Sequence, residues 1–250
     1  MATDNGDGTH KFTCTICGAS STEDHDYVNY ICGCGVISSE AKALIQSGDA
    51  KVLYSAIEEA LADWVDGTTL TLLADYVIPG KGQTIQVTDK NLTLDLNGRS
   101  ITRADYYTAE LLDVKEGAEL TVIDSSEEKT GTIRSNKNQL MTNRGTMVIK
   151  GGNYEVGETK NYGTMTVEGG TFSTGDKFGI INRSDLTISG GSFTTENNYP
   201  VFFDCGNALT ITGGTFTQNS DKPILNFYHA SSAVVSGAVT IENVELTNAG

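Results

Sequence analysis

The sequence predicts an all-β solenoid, preceded by a short helical connector and a small cysteine-rich module. Three observations carry this expectation. A string of the form Leu-Thr-Ile-x-Gly-Gly-x-Phe recurs along the chain, apolar and polar residues alternate within each copy, and the same residue types return at fixed offsets from copy to copy. Long-period self-similarity marks a repeat architecture, and alternation with period two marks half-buried strands. Each copy is then one coil, with like residues stacked about 4.8 Å apart.

The first element, residues 1–37, holds Cys14-Thr-Ile-Cys17-Gly and Cys32-Gly-Cys34-Gly. Two close cysteine pairs across a short loop have the spacing of a structural zinc site, in which four thiolates converge on one ion. The segment is poor in apolar residues, so a staple is expected. Zinc held by Cys14, Cys17, Cys32 and Cys34 is the favoured reading of this zinc-ribbon-like module. Two disulfides or free thiols are the alternatives; His10 and His25 could substitute as ligands, but each reads first as an ordinary surface histidine. Cys205 stands apart from these four and reads as a small buried hydrophobe.

The second element, residues 38–66, reads as connector and cap. Ser55-Ala-Ile-Glu58 has the form of a capping box. Ile57, Ala60, Leu61, Trp64 and Val65 give one apolar helical face, placing Trp64 as a lid on the first coil. A shorter helix is expected from Ser39 to about Ser47.

The third element, residues 67–250, is the solenoid. Its clearest copies start at Met147, Met165, Leu186 and Leu209, with weaker ones at Leu70, Leu92, Leu120 and Val239. Gly-Gly breaks each strand and lets the chain turn. Four residues before the clear copies lie Asn143, Asn161, Asn182 and Cys205, which predicts an amide ladder. Seven residues after them lie Tyr154, Phe172, Phe193 and Phe216, which predicts an aromatic stack.

Asp95-Leu-Asn-Gly-Arg-Ser-Ile101, Gly117-Ala-Glu-Leu-Thr-Val122 and the Leu-Thr-Ile-x-Gly-Gly-x-Phe repeats resemble the right-handed parallel β-helix, pectate-lyase-like repeats of large secreted or surface proteins of Gram-positive gut bacteria. The opening Gly8-Thr-His-Lys-Phe-Thr-Cys-Thr-Ile-Cys-Gly18 is similar to short cysteine-containing modules of the same proteins. The resemblance implies a secreted or cell-surface location within a larger protein, and a glycan-associated or adhesive role. Some members of the broader fold are polysaccharide lyases or glycosidases.

The chain of 250 residues carries 17 Lys and Arg against 32 Asp and Glu, a formal net charge of −15. So acidic a surface repels phosphate backbones, which argues against nucleic-acid binding. No apolar run is long enough to span a membrane, and no signal peptide is legible. Enzymes on this fold need charged groups clustered on one outward sheet face, for hydrolases a carboxylate pair. Read by register, the outward column one residue after each copy's start is nearly all Thr. The column three residues after it pairs Lys150 with Glu168. Asp124, Glu127 and Glu128 read as a solvated loop. Asp105, Glu110, Asp113 and Asp124 are the acids from which loops could still build a pair. The expectation is therefore a non-catalytic module that binds glycan or serves in adhesion, with a polysaccharide lyase or glycoside hydrolase as the alternative. Tyr106, Tyr107, Tyr162, Tyr199 and Tyr228 are the candidate sugar-stacking residues.

Overall fold

The computed structural model describes residues 2–80, 82–103, 109–135, 139–204, 208–221, 224–228, 238–241 and 245–248. From Thr69 onward the described chain winds through three parallel sheets, one strand in each per coil. The first runs from Thr69–Leu72 and Asn91–Asp95 to Ala238–Ile241. The second, reached next, runs from Tyr76–Ile78 to Glu245–Asn248. The third runs from Ile85–Val87 to Leu225–Tyr228. We call them the threonine, aromatic and asparagine sheets.

Inward residues fill the coil interior. Leu120, Met147, Met165, Leu186 and Leu209 stack in register in the threonine sheet, and all are buried. The clear copies therefore align as the sequence predicts. The first does not. Leu70 pairs with Leu94 rather than Leu92, so Thr68 and not Leu70 occupies the starting position, and the outward Thr column begins at Thr69.

The expected aromatic stack is present. Tyr154, Phe172, Phe193 and Phe216 are fully buried, with successive ring centroids 4.6, 4.7 and 4.8 Å apart and planes within 16° of parallel. Burial in this stack raises the Tyr154 hydroxyl pKa far above the ordinary phenol value, while the hydroxyl bonds to the Gly151 carbonyl at 2.9 Å.

The amide ladder is also present. Asn143 Nδ2 donates to Asn161 Oδ1, and Asn161 Nδ2 to Asn182 Oδ1, both at 2.8 Å. All three amides are fully buried. Beyond Asn182 the register places Phe203 in the next coil, not Cys205, which itself lies outside the described residues.

The Gly-Gly turns have a steric reason. A Cβ on Gly190 would lie 2.3 Å from the Glu168 carbonyl oxygen of the preceding coil, and Gly191 sits at φ +96°. The first glycine permits coil-to-coil approach and the second permits the left-handed bend.

The cap departs from the sequence reading. The segment expected to be helical from Ser39 forms a strand, Ala43–Ser47, which turns at Gly48 and Asp49 into Ala50–Tyr54. Ala43–Ser47 pairs antiparallel with Thr69–Leu72 and so covers the open edge of the first coil. Pairing with that edge outweighs the weak helical preference of the short Ala-Leu-Ile run. The helix is only Ile57–Ala62. Its N-cap is Ala56, with no side-chain cap bond, so the Ser55 capping box does not form. Ile57, Ala60 and Trp64 are buried, as the lid requires, but Val65 is 53% exposed.

The N-terminal segment is a three-stranded antiparallel sheet, Ala2–Asp4, Thr9–Thr13 and Ser20–Asp24, followed by a hairpin of Tyr27–Val28 and Ile31–Cys32. No helix among the described residues is long and apolar enough to cross a membrane.

Candidate functional site

Two constellations carry chemistry: an outward face of the asparagine sheet, and a His/Cys group in the N-terminal segment.

In the asparagine sheet, alternation turns Asp113, Thr142, Lys160, Ile181 and Phe202 away from the coil interior, aligned coil on coil; Asp113, Thr142 and Ile181 are nonetheless buried, and only Lys160 and Phe202 are partly exposed. Immediately after the ladder amides, a second outward column holds Arg144, Tyr162 and Arg183. Their backbone N–H groups bond to Val114, Asn143 and Asn161 carbonyls of the preceding coils, so the amide ladder fixes the spacing of these side chains. Tyr162 is 40% exposed. The Arg144 and Arg183 guanidinium carbons lie 5.8 and 5.3 Å from its ring centroid. Arg183 Nη1 also donates to the Tyr162 hydroxyl at 2.6 Å. Arginines of the preceding and following coils thus contact one aromatic ring and help to hold it in place.

Acids on this face are engaged. Asp113 accepts from Lys115 and Arg144, and Glu158 pairs with Lys160 at 3.3 Å. Four basic side chains, Lys115, Arg144, Lys160 and Arg183, thus share one surface of a strongly acidic chain. Next to them Phe178, Tyr199 and Phe202 form a triangular cluster, with Tyr199 6.0 Å from each of the other two rings and those two 4.8 Å apart. All three rings are half-buried.

The sequence singled out Tyr162 and Tyr199, and the structure places both on this face. Tyr106 and Tyr107 lie outside the described residues, and Tyr228 is described only as backbone in Leu225–Tyr228. Sequence reasoning missed Phe178, Phe202 and the arginines. Their signal was present as a recurrence: Arg144, Tyr162 and Arg183 each follow a ladder Asn.

Of the acids expected to supply a catalytic pair, Asp113 and Asp124 are otherwise occupied, and Glu110 is bonded through its backbone carbonyl. Asp105 is outside the described residues. Asp124 is not part of a solvated loop but is 6% exposed. It accepts from the Gly98, Ser126 and Gly131 N–H groups and the Ser126 hydroxyl. Burial pushes its carboxyl pKa up, but these bonds outweigh burial and hold it below the usual carboxylate range. Glu127 and Glu128 are exposed, as expected. Lys150 and Glu168 face each other at 3.6 Å.

In the N-terminal segment, one donor atom each from His10, His25, Cys32 and Cys34 lies within 4.8 Å of every other, so this group can hold a metal ion. Of the four cysteines expected to converge, Cys32 and Cys34 join this group, while Cys14 and Cys17 are exposed. Cys14 and Cys17 sit in the turn joining Thr9–Thr13 to Ser20–Asp24, where the N–H groups of Cys17 and Ile16 lower the Cys14 thiol pKa.

No family model, no curated protein and no solved structure matches this chain.

Proposed function

We propose that the chain is a non-catalytic module of a secreted or cell-surface protein, and that the outward face of the asparagine sheet binds an acidic glycan. The observation that carries this reading is the fixed alternation of Arg144, Tyr162 and Arg183 beside the Phe178–Tyr199–Phe202 cluster. An aromatic ring offers its face to the apolar side of a sugar. The guanidinium groups of the neighbouring coils, Arg144 paired with Asp113 and Arg183 bonded to the Tyr162 hydroxyl, place positive charge beside the ring, where a carboxylate or sulfate would meet it. An extended sugar chain lying across the coils would meet ring and cations in turn. The role fits glycan attachment or adhesion by a solenoid, whose stacked coils present long, flat surfaces. In the same reading the N-terminal segment is a zinc-stapled structural module, since mixed imidazole and thiolate donors suit zinc.

A glycan array carrying uronate-containing, sulfated and neutral polysaccharides tests the binding function. Binding to acidic glycans, weakened about tenfold by Tyr162→Ala and reduced by added salt, is the expected result. Binding to none, or binding indifferent to Tyr162→Ala and Phe202→Ala, overturns it. Digests of the same polysaccharides are expected to release neither reducing ends nor unsaturated products. Release that disappears in Asp113→Asn would replace the binding reading with an enzymatic one.

A further inference from the structure

We infer that the metal of the N-terminal segment is held by two histidines and two cysteines, His10, His25, Cys32 and Cys34, and that Cys14 and Cys17 form a separate exposed thiol pair. The inference rests on the zinc-stapled reading of this segment and specifies its ligands.

Distances come first. Donor atoms on a tetrahedron with bonds of 2.0–2.3 Å are separated by about 3.3–3.8 Å. His10 Nδ1 lies 3.3 Å from Cys32 Sγ, already at that separation. The widest pair of the group is within 4.8 Å, so closure on an ion needs side-chain shifts of only about 1 Å. The Cys14–Cys17 turn lies at the far end of the hairpin. Cys14 is four residues along an extended strand from His10, about 13 Å.

The second observation is the state of the imidazoles. His10 is 4% exposed, and its Nε2 is buried without a hydrogen-bond partner. Its Nδ1 faces only a sulfur, a weak partner. The His25 side chain is 5% exposed, with Nε2 at 3.3 Å from Asp4 Oδ1 but buried without a hydrogen bond. Its Nδ1 contacts the Tyr27 hydroxyl at 3.0 Å. The two rings stack at 5.5 Å, 13° from parallel. Two buried, poorly bonded imidazoles in one small segment are costly unless something at their centre satisfies them. A cation satisfies one nitrogen of each ring, and the contact that remains at the other nitrogen of His25, to Tyr27 at Nδ1 or to Asp4 at Nε2, is of the kind that orients a ligating ring.

Local backbone supports the same set. Cys32 N–H bonds to the Val36 carbonyl and Gly35 N–H to the Cys32 carbonyl. This tight turn brings Cys34 back beside Cys32. Pairing of Thr9–Thr13 with Ser20–Asp24 sets His10 opposite Glu23, two residues before His25.

The test uses the whole chain, purified reduced with zinc and also refolded with cobalt. Wild-type protein and the Cys14→Ser/Cys17→Ser double variant are both expected to retain about one zinc. His10→Asn/His25→Asn and Cys32→Ser are expected to lose it. The cobalt form should show the same thiolate-to-cobalt absorption in wild type and in Cys14→Ser/Cys17→Ser. Loss of zinc and halved thiolate absorption in Cys14→Ser/Cys17→Ser, with zinc kept in His10→Asn/His25→Asn, would assign the ion to four cysteines and overturn the inference. Wild-type protein without zinc would instead overturn the zinc-stapled reading itself. Circular dichroism of the solenoid serves as the folding control, because each coil depends only on its neighbours.

Discussion

Replacing Asn161 with alanine should cost far more than replacing Asn143, although both are fully buried members of one ladder. Asn161 makes four hydrogen bonds. It donates to Asn182 Oδ1 at 2.8 Å and to the Asp185 carbonyl at 2.9 Å, and accepts from Asn143 Nδ2 at 2.8 Å and from Gly163 N–H at 3.2 Å. Truncation strips partners from buried groups in both flanking coils. With roughly 1–3 kcal/mol for each buried group left unsatisfied, Asn161→Ala should lose about 3–6 kcal/mol. Asn143 differs because it ends the ladder. Its Nδ2 donates to Asn161 Oδ1 and to the Thr164 carbonyl at 2.9 Å, but its Oδ1 is buried with no partner, since the coil before it presents Val114. Removing Asn143 also removes that unsatisfied oxygen, so Asn143→Ala should cost about 1–3 kcal/mol. Urea unfolding followed by far-UV circular dichroism measures both. Native-state hydrogen exchange over residues 146–188 then shows whether the loss is local, as expected for an array in which only neighbours interact. Equal costs for the two variants, or less than about 1 kcal/mol for Asn161→Ala, would refute the ladder as a source of stability.

Phe193→Ala should cost roughly 3–5 kcal/mol by urea unfolding, because it opens a cavity between Phe172 and Phe216; a loss below about 1 kcal/mol would mean that the ring is not stacked inside the coil. Asp124→Asn should cost about 1–3 kcal/mol at neutral pH, because the amide turns one N–H donor toward the N–H groups the carboxylate accepts from. Since the native carboxyl is held below its unfolded value of about 3.9, its contribution is fully present above that pH and is lost as pH falls through the native-state value. The stability gap between wild type and Asp124→Asn, read by denaturant unfolding, should therefore be flat from about pH 5 to 7 and shrink below about pH 4. A gap that grows on acidification would contradict this.

The parts of this fold legible in sequence are those where stacking forces identity. Phe172, Phe193 and Phe216 recur because a ring left without a neighbour would leave a void in the coil. Asn161 and Asn182 recur because each amide's partner is another amide. Legibility fails where the pattern is degenerate. In Thr68-Thr-Leu-Thr-Leu72, sliding the strand by two residues keeps every apolar side chain inward, so alternation cannot tell Leu70 from Leu72 and only pairing with Leu94 decides. It fails again for Ala43–Ser47, whose strand state depends on an open sheet edge that no local window contains. In the N-terminal segment, the spacing Cys-x2-Cys and Cys-x-Cys identifies thiol pairs but not which pair meets which imidazole. That is set by the antiparallel return of Ser20–Asp24 and the turn at Gly35.

The outward columns show why the asparagine sheet, and not its neighbours, is the face to examine for function. In the threonine sheet the outward column stays Thr at positions 69, 93, 121, 166, 187 and 210, with Val148 between. A β-branched residue satisfies a half-exposed strand position, and repetition shows that strand formation asks for nothing more there. In the asparagine sheet the equivalent column runs Asp113, Thr142, Lys160, Ile181, Phe202, changing chemistry at every coil, with Lys160 and Phe202 its partly exposed members and the other three buried. Asp and Lys are poorer strand formers than Thr, and Phe202 and Tyr199 leave aromatic surface in water. Strand stability does not call for this sequence of side chains. The proposed glycan, lying across successive coils and meeting charge in one and a ring in the next, would account for its partly exposed members, Lys160 and Phe202.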